Sequence, residues 1–266
     1  MADDPNGAPT PERLAARVGT RWLGRAYEWH ASCGSTNDLA AARARTGAPQ
    51  GLVVATEEQT AGRGRLGRAW HSPAGANLYL SVLLRPARPA AEIPPLTLLA
   101  GAAVARALAS LGLAPRLKWP NDVQLVVAGA ARKVAGLLTE MSSEGARVGH
   151  VVVGLGLNVN AAVFPSELAE RATSLRLAAG RAFDRAAVLA AVLEAFEPLY
   201  DAYGARGAAV ASEAWLPFAS LGERCRVSAP GAPLEGVALG IDADGALRLR
   251  DDAGRIHRVL SGEIST

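Results

Sequence analysis

The sequence of 266 residues predicts an α+β protein in which a mixed body of strands and helices is followed by a small all-β domain. Between Gly34 and about Phe218, strand-like apolar runs alternate with amphipathic helical patterns. After Phe218 the pattern changes to short alternating strands interrupted by glycine and proline. Half of the residues are hydrophobic, so a chain of this length can bury one substantial core and still supply a second, smaller domain.

The first twenty residues predict a flexible N-terminal arm. They contain Pro5, Pro9 and Pro11 and little apolar periodicity, apart from a short helical turn expected from Glu12. An arm of residues 1–20 is too short for a DNA-binding domain. We therefore expect the body to span residues 21–218 and the protein to have no DNA partner.

The body contains three clear strands and two clear helices. Short runs rich in β-branched and other apolar residues predict strands at Val53–Thr56, Leu78–Leu84 and 151–157. Apolar residues at helical spacing predict helices at 96–111 and 185–203. Strands and helices are thus mixed along the body.

The segment 219–266 predicts a small β-barrel domain. Alternating runs predict strands at Arg224–Ser228, Leu234–Ile241, 246–250 and 256–260. Turns between them are indicated by Pro230-Gly231, Asp244-Gly245 and Ala253-Gly254. Because so short a segment folds alone with little margin, we expect it to pack against the body.

Composition argues against several classes of protein. The polar N-terminus lacks the apolar run of a secretory signal, and no uninterrupted apolar stretch reaches the roughly 18 to 20 residues that span a bilayer. We therefore expect a cytoplasmic protein without a membrane partner. The two cysteines, Cys33 and Cys225, show no zinc-binding spacing, and a net charge of +3 is too small to indicate nucleic-acid binding.

A loop rich in glycine and arginine is the most informative segment. Residues 62–68 contain three glycines and three arginines, and the loop follows one predicted strand and precedes another. Glycine lets backbone N–H groups approach an anion, and arginine binds phosphate or carboxylate with two hydrogen bonds. The loop lacks the lysine of a P-loop and the acidic partner of a Rossmann motif. Taken alone, it is compatible with an anion site or with a flexible basic surface loop.

The longer string around this loop resembles a known family. Residues 59–81, QTAGRGRLGRAWHSPAGANLYLS, closely resemble the ATP- and biotin-binding loop of biotin–protein ligases. Leu66 departs from the family pattern, in which a polar residue is common at this place. The resemblance implies a loop that is disordered until ligand binds.

Four further segments resemble the same family in the same order. Three of them are the turn Gly34-Ser35-Thr36-Asn37, the string KWPNDV at 118–123 and the string KVAGLLTE at 133–140; the fourth is GLGLNVN at 154–160. Taken alone, the Ser-Thr-Asn turn is also an ordinary helix N-cap. Residues 126–132 lengthen the hairpin before Lys133 relative to the family pattern.

The resemblance implies a fold and a set of functional residues. It implies a catalytic domain like that of class II aminoacyl-tRNA synthetases, with a mixed sheet flanked by helices, and an SH3-like barrel after it. The implied biotin contacts are Ser35, Thr36, Asn37, Gln59, Gly62, Arg63, Lys133, Gly136 and Gly156. The implied ATP contacts are Arg65, Arg68, Trp70, Asn121, Lys118 and Asn158, and the implied catalytic residues are Lys133, Arg65, Asp122 and Lys118.

The implied reaction forms biotinyl-5'-AMP from biotin and ATP and passes biotin to a lysine of a biotin carboxyl carrier domain of an acyl-CoA carboxylase. Two anions must meet in the first step, so the cationic residues supply charge stabilisation. Mg²⁺ is expected on the phosphates and not in a cage of protein ligands. Its one expected protein contact is Asp122. Asp122 is also the candidate to orient or deprotonate the acceptor amine. Two alternatives remain at this point, a lipoate–protein ligase and a biotin-responsive binding protein. A monomer or weak homodimer is expected.

Overall fold

The computed structural model describes residues 7–145, 147–228 and 233–265, and they form a mixed sheet with helices on both faces followed by a small antiparallel sheet. The strands of the large sheet are β1 (Tyr27–His30), β2 (Val53–Thr56), β3 (Leu78–Leu84), β4 (Arg116–Lys118), β5 (Asp122–Val127), β6 (Ala130–Glu144) and β7 (Arg147–Leu157). The helices are α1 (Pro11–Ala15), α2 (Thr36–Arg45), α3 (Leu96–Ser110), α4 (Leu175–Ala179), α5 (Arg185–Arg206) and α6 (Ala209–Trp215). The small sheet contains β8 (Arg224–Ser228), β9 (Leu234–Ile241), β10 (Leu247–Arg250), β11 (Ile256–Val259) and β12 (Glu263–Ser265).

The large sheet has the strand order β1-β2-β3-β7-β6-β5-β4, in which only the β1–β2 pair is parallel. The predicted strands β2 and β3 and the predicted helices α3 and α5 are confirmed, with helix ends shifted by one to three residues. The strand predicted at 151–157 is also present, as β7, but it begins four residues earlier, at Arg147. The long hairpin of β6 and β7 places the two glycine-containing strings of the sequence side by side.

Helices cover the two faces of the large sheet unequally. On one face, α3, α5 and α6 pack in the main core with residues such as Leu99, Leu189 and Trp215. On the other face, α2 packs Ala40 and Ala44 in a smaller cluster of buried residues. The rest of this second face is left to loops, and it is the face on which the site described below lies.

The segment that ends with α3 has the length and apolar composition of a membrane span. Residues Ala90–Ser110 satisfy the length and hydropathy of a membrane span, but 72% of the most apolar window is buried inside the protein. A core helix has the same composition as a spanning helix because both are surrounded by apolar groups. The segment is therefore the central helix of the body.

The prediction of a flexible N-terminal arm is wrong for residues 7–20. Thr10 caps α1 by accepting a hydrogen bond from the N–H of Arg13, and Leu14 and Val18 are buried in the main core. The hydroxyl of Tyr27 donates to the carbonyl of Pro9. Two apolar residues four positions apart are enough to fix this short segment against the body, but they are too few to show as helical periodicity in the sequence.

Glu197 of α5 anchors the chain that follows this segment. Its buried carboxylate accepts hydrogen bonds from the backbone N–H groups of Arg21, Trp22 and Leu23, each at 2.9 Å. Three N–H groups converging on one carboxylate satisfy a charge that burial alone would destabilise. The contact joins two segments that are about 175 positions apart in the sequence.

Glu197→Ala is expected to lower the free energy of unfolding by about 3 kcal/mol, because each buried donor left without an acceptor costs about 1–3 kcal/mol. The urea midpoint measures this loss. Glu194→Ala is the matched control, since Glu194 also accepts a backbone N–H, that of Gly19, but at an exposed position. An equal loss in both variants would contradict the anchoring role of Glu197.

The same carboxylate has a predictable pH dependence. Burial raises the pKa of Glu197, but the hydrogen bonds from Leu23, Arg21 and Trp22 outweigh it, so the pKa lies below its ordinary value of 4.5. A lowered carboxyl pKa stabilises the folded state above the unfolded pKa, and this contribution is lost as the pH falls below about 4.5. Stability should therefore fall less steeply with acid in Glu197→Ala than in the parent protein.

The small sheet has the order β11-β10-β9-β8-β12, and every neighbouring pair is antiparallel. Its first four strands are confirmed to within one residue at each end, whereas β12 was not predicted. Gly245 and Gly254 have the positive φ angles that the predicted turns require, and Pro230-Gly231 lies outside the described residues.

The small sheet packs against the body through its β9–β10 turn. The indole N–H of Trp119 donates to the carbonyl of Gly245 at 3.0 Å, and Gly245 also approaches Leu98 of α3. Leu117 of β4 forms a parallel bridge with Ala219, just after the body's last helical turn at Leu216–Phe218. The expected packing of the small domain on the body is confirmed.

Candidate active site

The pairing of β3, β7, β6, β5 and β4 places several of the predicted site residues on one face of the large sheet. Gly136 of β6 pairs with Gly156 of β7 and with Asp122 of β5, and Asp122 pairs with Lys118 of β4. Directly paired residues point to the same face, so these four residues form one row across the sheet. The next row on this face contains Leu138, Gly154 and Ser81, and the third contains Glu140.

Three glycines make a trough in this face. A methyl group added to Gly154 would collide with the side-chain amide of Asn37, and one added to Gly156 would collide with the indole of Trp70. At Gly136 it would lie 2.8 Å from Cζ3 of Trp70 and 3.0 Å from Cε of Lys133. Only glycine leaves this space, so the floor of the trough is bare backbone.

Trp70 lies in this trough. Its ring is against Gly136 and Gly156, and Nζ of Lys133 is 5.2 Å from the ring centroid. The indole N–H is buried and has no hydrogen-bond partner among the described residues. A buried N–H without an acceptor is unfavourable, so the indole is held there by packing and by the nearby ammonium and not by a hydrogen bond.

The Ser-Thr-Asn turn lies beside the trough and joins it to Gln59. Ser35 is at the N-cap position of α2, yet its side chain makes no capping hydrogen bond, which argues against the ordinary N-cap interpretation. The backbone N–H and the hydroxyl of Thr36 both donate to Oε1 of Gln59, at 3.0 and 3.2 Å. The amide of Gln59 donates in turn to the hydroxyl of Ser72. The structure therefore brings Ser35, Thr36 and Gln59 together, as predicted.

Asn37 differs from its expected role as a ligand contact. It is 4% exposed, and its side-chain amide donates to Oε2 of Glu140 at 2.6 Å and accepts from the hydroxyl of Ser81 at 2.6 Å. These contacts occupy the polar atoms that a ligand would need. The geometry supports a structural role for Asn37, and it gives no support to direct contact with biotin.

Ser81 is a further functional candidate: it ends the string of residues 59–81, but no role was predicted for it. It is fully buried on β3, and its oxygen lies 2.7 Å from Oγ1 of Thr36 and 2.6 Å from Oδ1 of Asn37. A single hydroxyl thus fixes two consecutive residues of the turn. The available signal was a serine inside the otherwise apolar and fully buried run of β3, because a buried hydroxyl needs a hydrogen-bond partner.

The glycine-arginine loop lies beside the trough and is joined to itself by backbone hydrogen bonds. The N–H of Trp70 donates to the carbonyl of Gly62, and the N–H of Gly64 donates to the carbonyl of Arg68. A methyl group on Gly62 would lie 2.7 Å from Oγ of Ser72, so close packing requires glycine there. Leu66 adopts φ 56°, a left-handed conformation that is strained for leucine. Its side chain is 76% exposed.

The three arginines of the loop have different partners. Arg63 makes two hydrogen bonds with Asp38, at 2.6 and 2.8 Å, and approaches Glu140 at 3.3 Å. The bond from Arg63 lowers the pKa of Asp38, so Asp38 stays charged and neutralises this guanidinium. Asp38 and Glu140 thus hold the guanidinium of Arg63, which would have to exchange them in order to bind an anionic ligand.

The other two arginines connect the loop to the C-terminal sheet. Arg65 donates to Oδ1 of Asn121 at 3.3 Å and to the carbonyl of Gly262 at 3.1 Å. Arg68 forms an ion pair with Glu263 of β12. Among the described residues, β12 is thus the strand that closes the loop over the site, and the sequence analysis did not assign it this role.

Lys133 and Asp122 form an ion pair at the edge of the trough. Nζ of Lys133 lies 2.6 Å from Oδ1 of Asp122, and both side chains are about 30% exposed or less. Lys118 is next to Asp122 across the strands. Lys118 thus adds a second positive charge to the face of the sheet that carries the Lys133–Asp122 pair, and a net positive charge on this face favours an anionic ligand.

Asn121 and Asn158 were both expected to contact nucleotide. Asn121 donates to the carbonyl of Leu137 at 2.9 Å and accepts from Arg65, so it lies at the loop. Asn158 is 5% exposed and donates to the carbonyl of Thr173 at 3.0 Å. Its burial supports a role in holding the connection to α4, and the geometry gives no support to a contact with ATP.

In the described parts of the chain, no group of three or more potential metal ligands is found together.

Comparison with known proteins identifies the family. Residues 30–158 match the biotin/lipoate A/B protein ligase family, and residues 220–266 match the biotin protein ligase C-terminal domain. The chain is 37% identical over 258 residues to the biotin--[acetyl-CoA-carboxylase] ligase of Mycobacterium tuberculosis, covering 93% of this chain and 90% of that protein. This chain belongs to the biotin protein ligase family.

Other members of the family extend the comparison. The bifunctional ligase/repressor BirA of Bacillus subtilis is 38% identical over 249 residues, which is 92% of this chain and 75% of that protein. The biotin protein ligase from Aquifex aeolicus in complex with biotin and ATP superposes with a TM-score of 0.78 and 30% identity, over 91% of this chain and 98% of that one. The resemblance inferred from the sequence strings is therefore confirmed for both domains.

Proposed function

We propose that this protein forms biotinyl-5'-AMP from biotin and ATP and transfers the biotin to a lysine of a biotin carboxyl carrier domain. The observation that carries the proposal is the glycine-floored trough at Gly136 and Gly156, which has the Lys133–Asp122 ion pair at its edge and Lys118 on the same face of the sheet. The trough accommodates an apolar ring system, and the cations attract a carboxylate. A relative solved with biotin and ATP has the same fold.

In the first step, a carboxylate oxygen of biotin attacks the α-phosphorus of ATP, and pyrophosphate leaves. Lys133 exchanges its partner Asp122 for the biotin carboxylate and reduces the repulsion between the two anions. Arg65 and Arg68 exchange Asn121 and Glu263 for phosphate oxygens as the loop closes over them. Mg²⁺ accompanies the phosphates and neutralises their charge.

In the second step, the amine of the acceptor lysine attacks the carbonyl carbon of the mixed anhydride, and AMP leaves. Asp122 lies at the reacting end of the trough and is released from Lys133 when that lysine binds the ligand. It then orients the amine or accepts its proton. Trp70 leaves Gly136 and Gly156 when ligand enters and covers the ligand as a lid.

We also propose the finer description of the protein. The body has the fold of class II aminoacyl-tRNA synthetase catalytic domains, and the five-stranded C-terminal sheet is an SH3-like barrel. The protein acts in the cytoplasm on the carrier domain of an acyl-CoA carboxylase, as a monomer or weak homodimer, without a DNA partner. The names of the relatives in Mycobacterium tuberculosis and Paracoccus denitrificans, both acetyl-CoA-carboxylase ligases, support the acceptor.

The test of this proposal is ATP–pyrophosphate exchange with biotin or lipoate as the acid. We expect exchange with biotin and little with lipoate, because the polar turn at Ser35 and Thr36, beside Gln59, offers hydrogen-bonding groups to the ureido ring of biotin, and the dithiolane ring of lipoate cannot use them. Exchange supported by lipoate would favour a lipoate ligase. Biotin binding without exchange would favour a biotin-responsive binding protein.

Gly156→Val is expected to abolish measurable biotin binding by calorimetry, because the added side chain fills the trough. Valine is favourable in a central strand, so the fold should persist. Gly204→Ala is the control, since nothing lies within 4 Å of the added methyl group there. Unchanged binding by Gly156→Val would show that biotin does not lie in this trough.

A further inference from the structure

Glu140 is the one carboxylate in contact with both halves of the proposed biotin pocket among the residues that the structure describes. One half is the turn of residues 34–37, and the other is the loop that begins at Gly62. Oε2 of Glu140 accepts from Asn37 at 2.6 Å, and both carboxylate oxygens lie 3.3 to 3.4 Å from the guanidinium of Arg63. These two partners immediately follow Thr36 and Gly62, which are expected ligand contacts.

The contact with Asn37 is not an ordinary surface interaction. Asn37 is 4% exposed and fits into the space that Gly154 leaves by lacking a side chain. Its carbonyl oxygen accepts from Ser81, and its remaining N–H donation, to the carbonyl of Leu138, is long at 3.4 Å. Removing Glu140 therefore leaves a buried amide N–H with a weak partner, which is unfavourable for this position of the turn.

The contact with Arg63 places the loop relative to the same turn. Asp38 holds Arg63 from α2 with two hydrogen bonds, whereas the hydrogen bonds of the Asn37 side chain go to Glu140, Leu138 and Ser81. Glu140 adds a fixed point on β6, a strand whose regular pairing with β7 does not depend on the loop. The position of Arg63, and with it that of Gly62, is thus set by the sheet as well as by the helix.

We propose that Glu140 is a positioning residue that fixes the biotin turn and the glycine-arginine loop at the spacing biotin requires. This inference rests on the proposed function, because biotin must occupy the space between the two halves. Glu140 acts through Asn37 and Arg63 and has no contact with the reacting atoms. Because Arg65 and Arg68 belong to a different part of the loop, Glu140 should affect biotin binding more than ATP binding.

The experiment compares Glu140→Ala, Glu140→Gln and the parent in ATP–pyrophosphate exchange, with calorimetric binding of biotin. We expect the Kd of biotin to rise about tenfold in Glu140→Ala, as for the loss of one charge-assisted hydrogen bond, while the KM for ATP at saturating biotin changes less than about twofold. Glutamine keeps an acceptor for Asn37 and should restore most of the affinity. Glu213→Ala, which removes an exposed ion pair with Arg206 elsewhere, is the control and should match the parent.

A double-mutant cycle sharpens the test. Asn37→Ala with Glu140→Ala should weaken biotin binding by less than the sum of the two single losses, because the two changes share the Asn37–Glu140 contact while each also breaks one contact of its own. A biotin Kd of Glu140→Ala within twofold of the parent would overturn the proposal, and so would a KM for ATP that rises in parallel with the Kd. If the parent protein itself shows no biotin-dependent exchange, it is the proposed function that fails.

Discussion

Lys133→Ala is expected to lower biotin-dependent ATP–pyrophosphate exchange by about a hundredfold or more. Removal of a single group that stabilises developing charge costs on the order of 10² to 10³ in rate. Among the described side chains, Lys133 is the cation that lies beside both Gly136 and Asp122, at the proposed meeting point of carboxylate and α-phosphate. The variant keeps the trough but loses the charge that draws the carboxylate to its end.

The matched control for this variant is the preceding residue. Arg132 lies on the same strand, and its guanidinium donates to the carbonyl of Ala169. Arg132→Ala should therefore retain exchange within about threefold, as expected for a surface substitution away from the site. Lys133→Arg keeps the charge with a different shape and should lie between the two. Exchange near the parent rate in Lys133→Ala would show that the assignment is wrong.

Arg65→Gly is expected to activate biotin and then release biotinyl-5'-AMP too early. The guanidinium bridges Asn121 and the carbonyl of Gly262, so it holds the loop to the C-terminal sheet and is placed to grip the adenylate phosphate. A charge-assisted contact is worth roughly 1.5 to 3 kcal/mol, and its loss raises the escape rate about ten- to a hundredfold if all of it appears in dissociation. Free adenylate acylates exposed amines on any protein.

Two measurements test the gripping role of Arg65. One is the dissociation rate of the adenylate in a pulse–chase, and the other is biotin incorporated into a bystander such as albumin. Leu66→Gly is the control, because it also adds a glycine to the loop, one residue later. The φ of 56° at this position already favours glycine, and the side chain that is removed is exposed. Unchanged dissociation and no bystander labelling by Arg65→Gly would show that Arg65 does not retain the intermediate.

The parts of the fold that the sequence predicted are those set by local patterns. The strands β2 and β3 are runs of apolar and β-branched residues, and α3 and α5 have long apolar periodicity. The strand β12 is short and gives no periodic signal, and α1 was expected only as a short helical turn from Glu12 because it contributes few apolar residues. Their stability comes from contacts with distant segments, such as the packing of Leu14 in the main core.

The candidate site shows the same division. The glycines at 136 and 156 and the residues Lys118 and Asp122 could be placed from their strings, because strand pairing brings them into one row, and Lys133 lies beside it. The roles of Asn37 and Glu140 could not, since their contact joins residues 103 positions apart. The partners of Arg65 and Arg68 on the C-terminal sheet are farther away still, at 197 and 195 positions in the sequence. Sequence strings identify the residue types of a site, and only packing decides which of them remain free for a ligand.

The central claim is most directly tested by incubating the purified protein with biotin, MgATP and a biotin carboxyl carrier domain and measuring the mass of that domain. We expect the carrier domain to gain the mass of one biotinyl group on a single lysine, and only when both biotin and ATP are present. Peptide mapping identifies the lysine, and omission of ATP provides the control. A carrier domain of unchanged mass, with biotin still bound by the protein, would contradict the claim that this site transfers biotin.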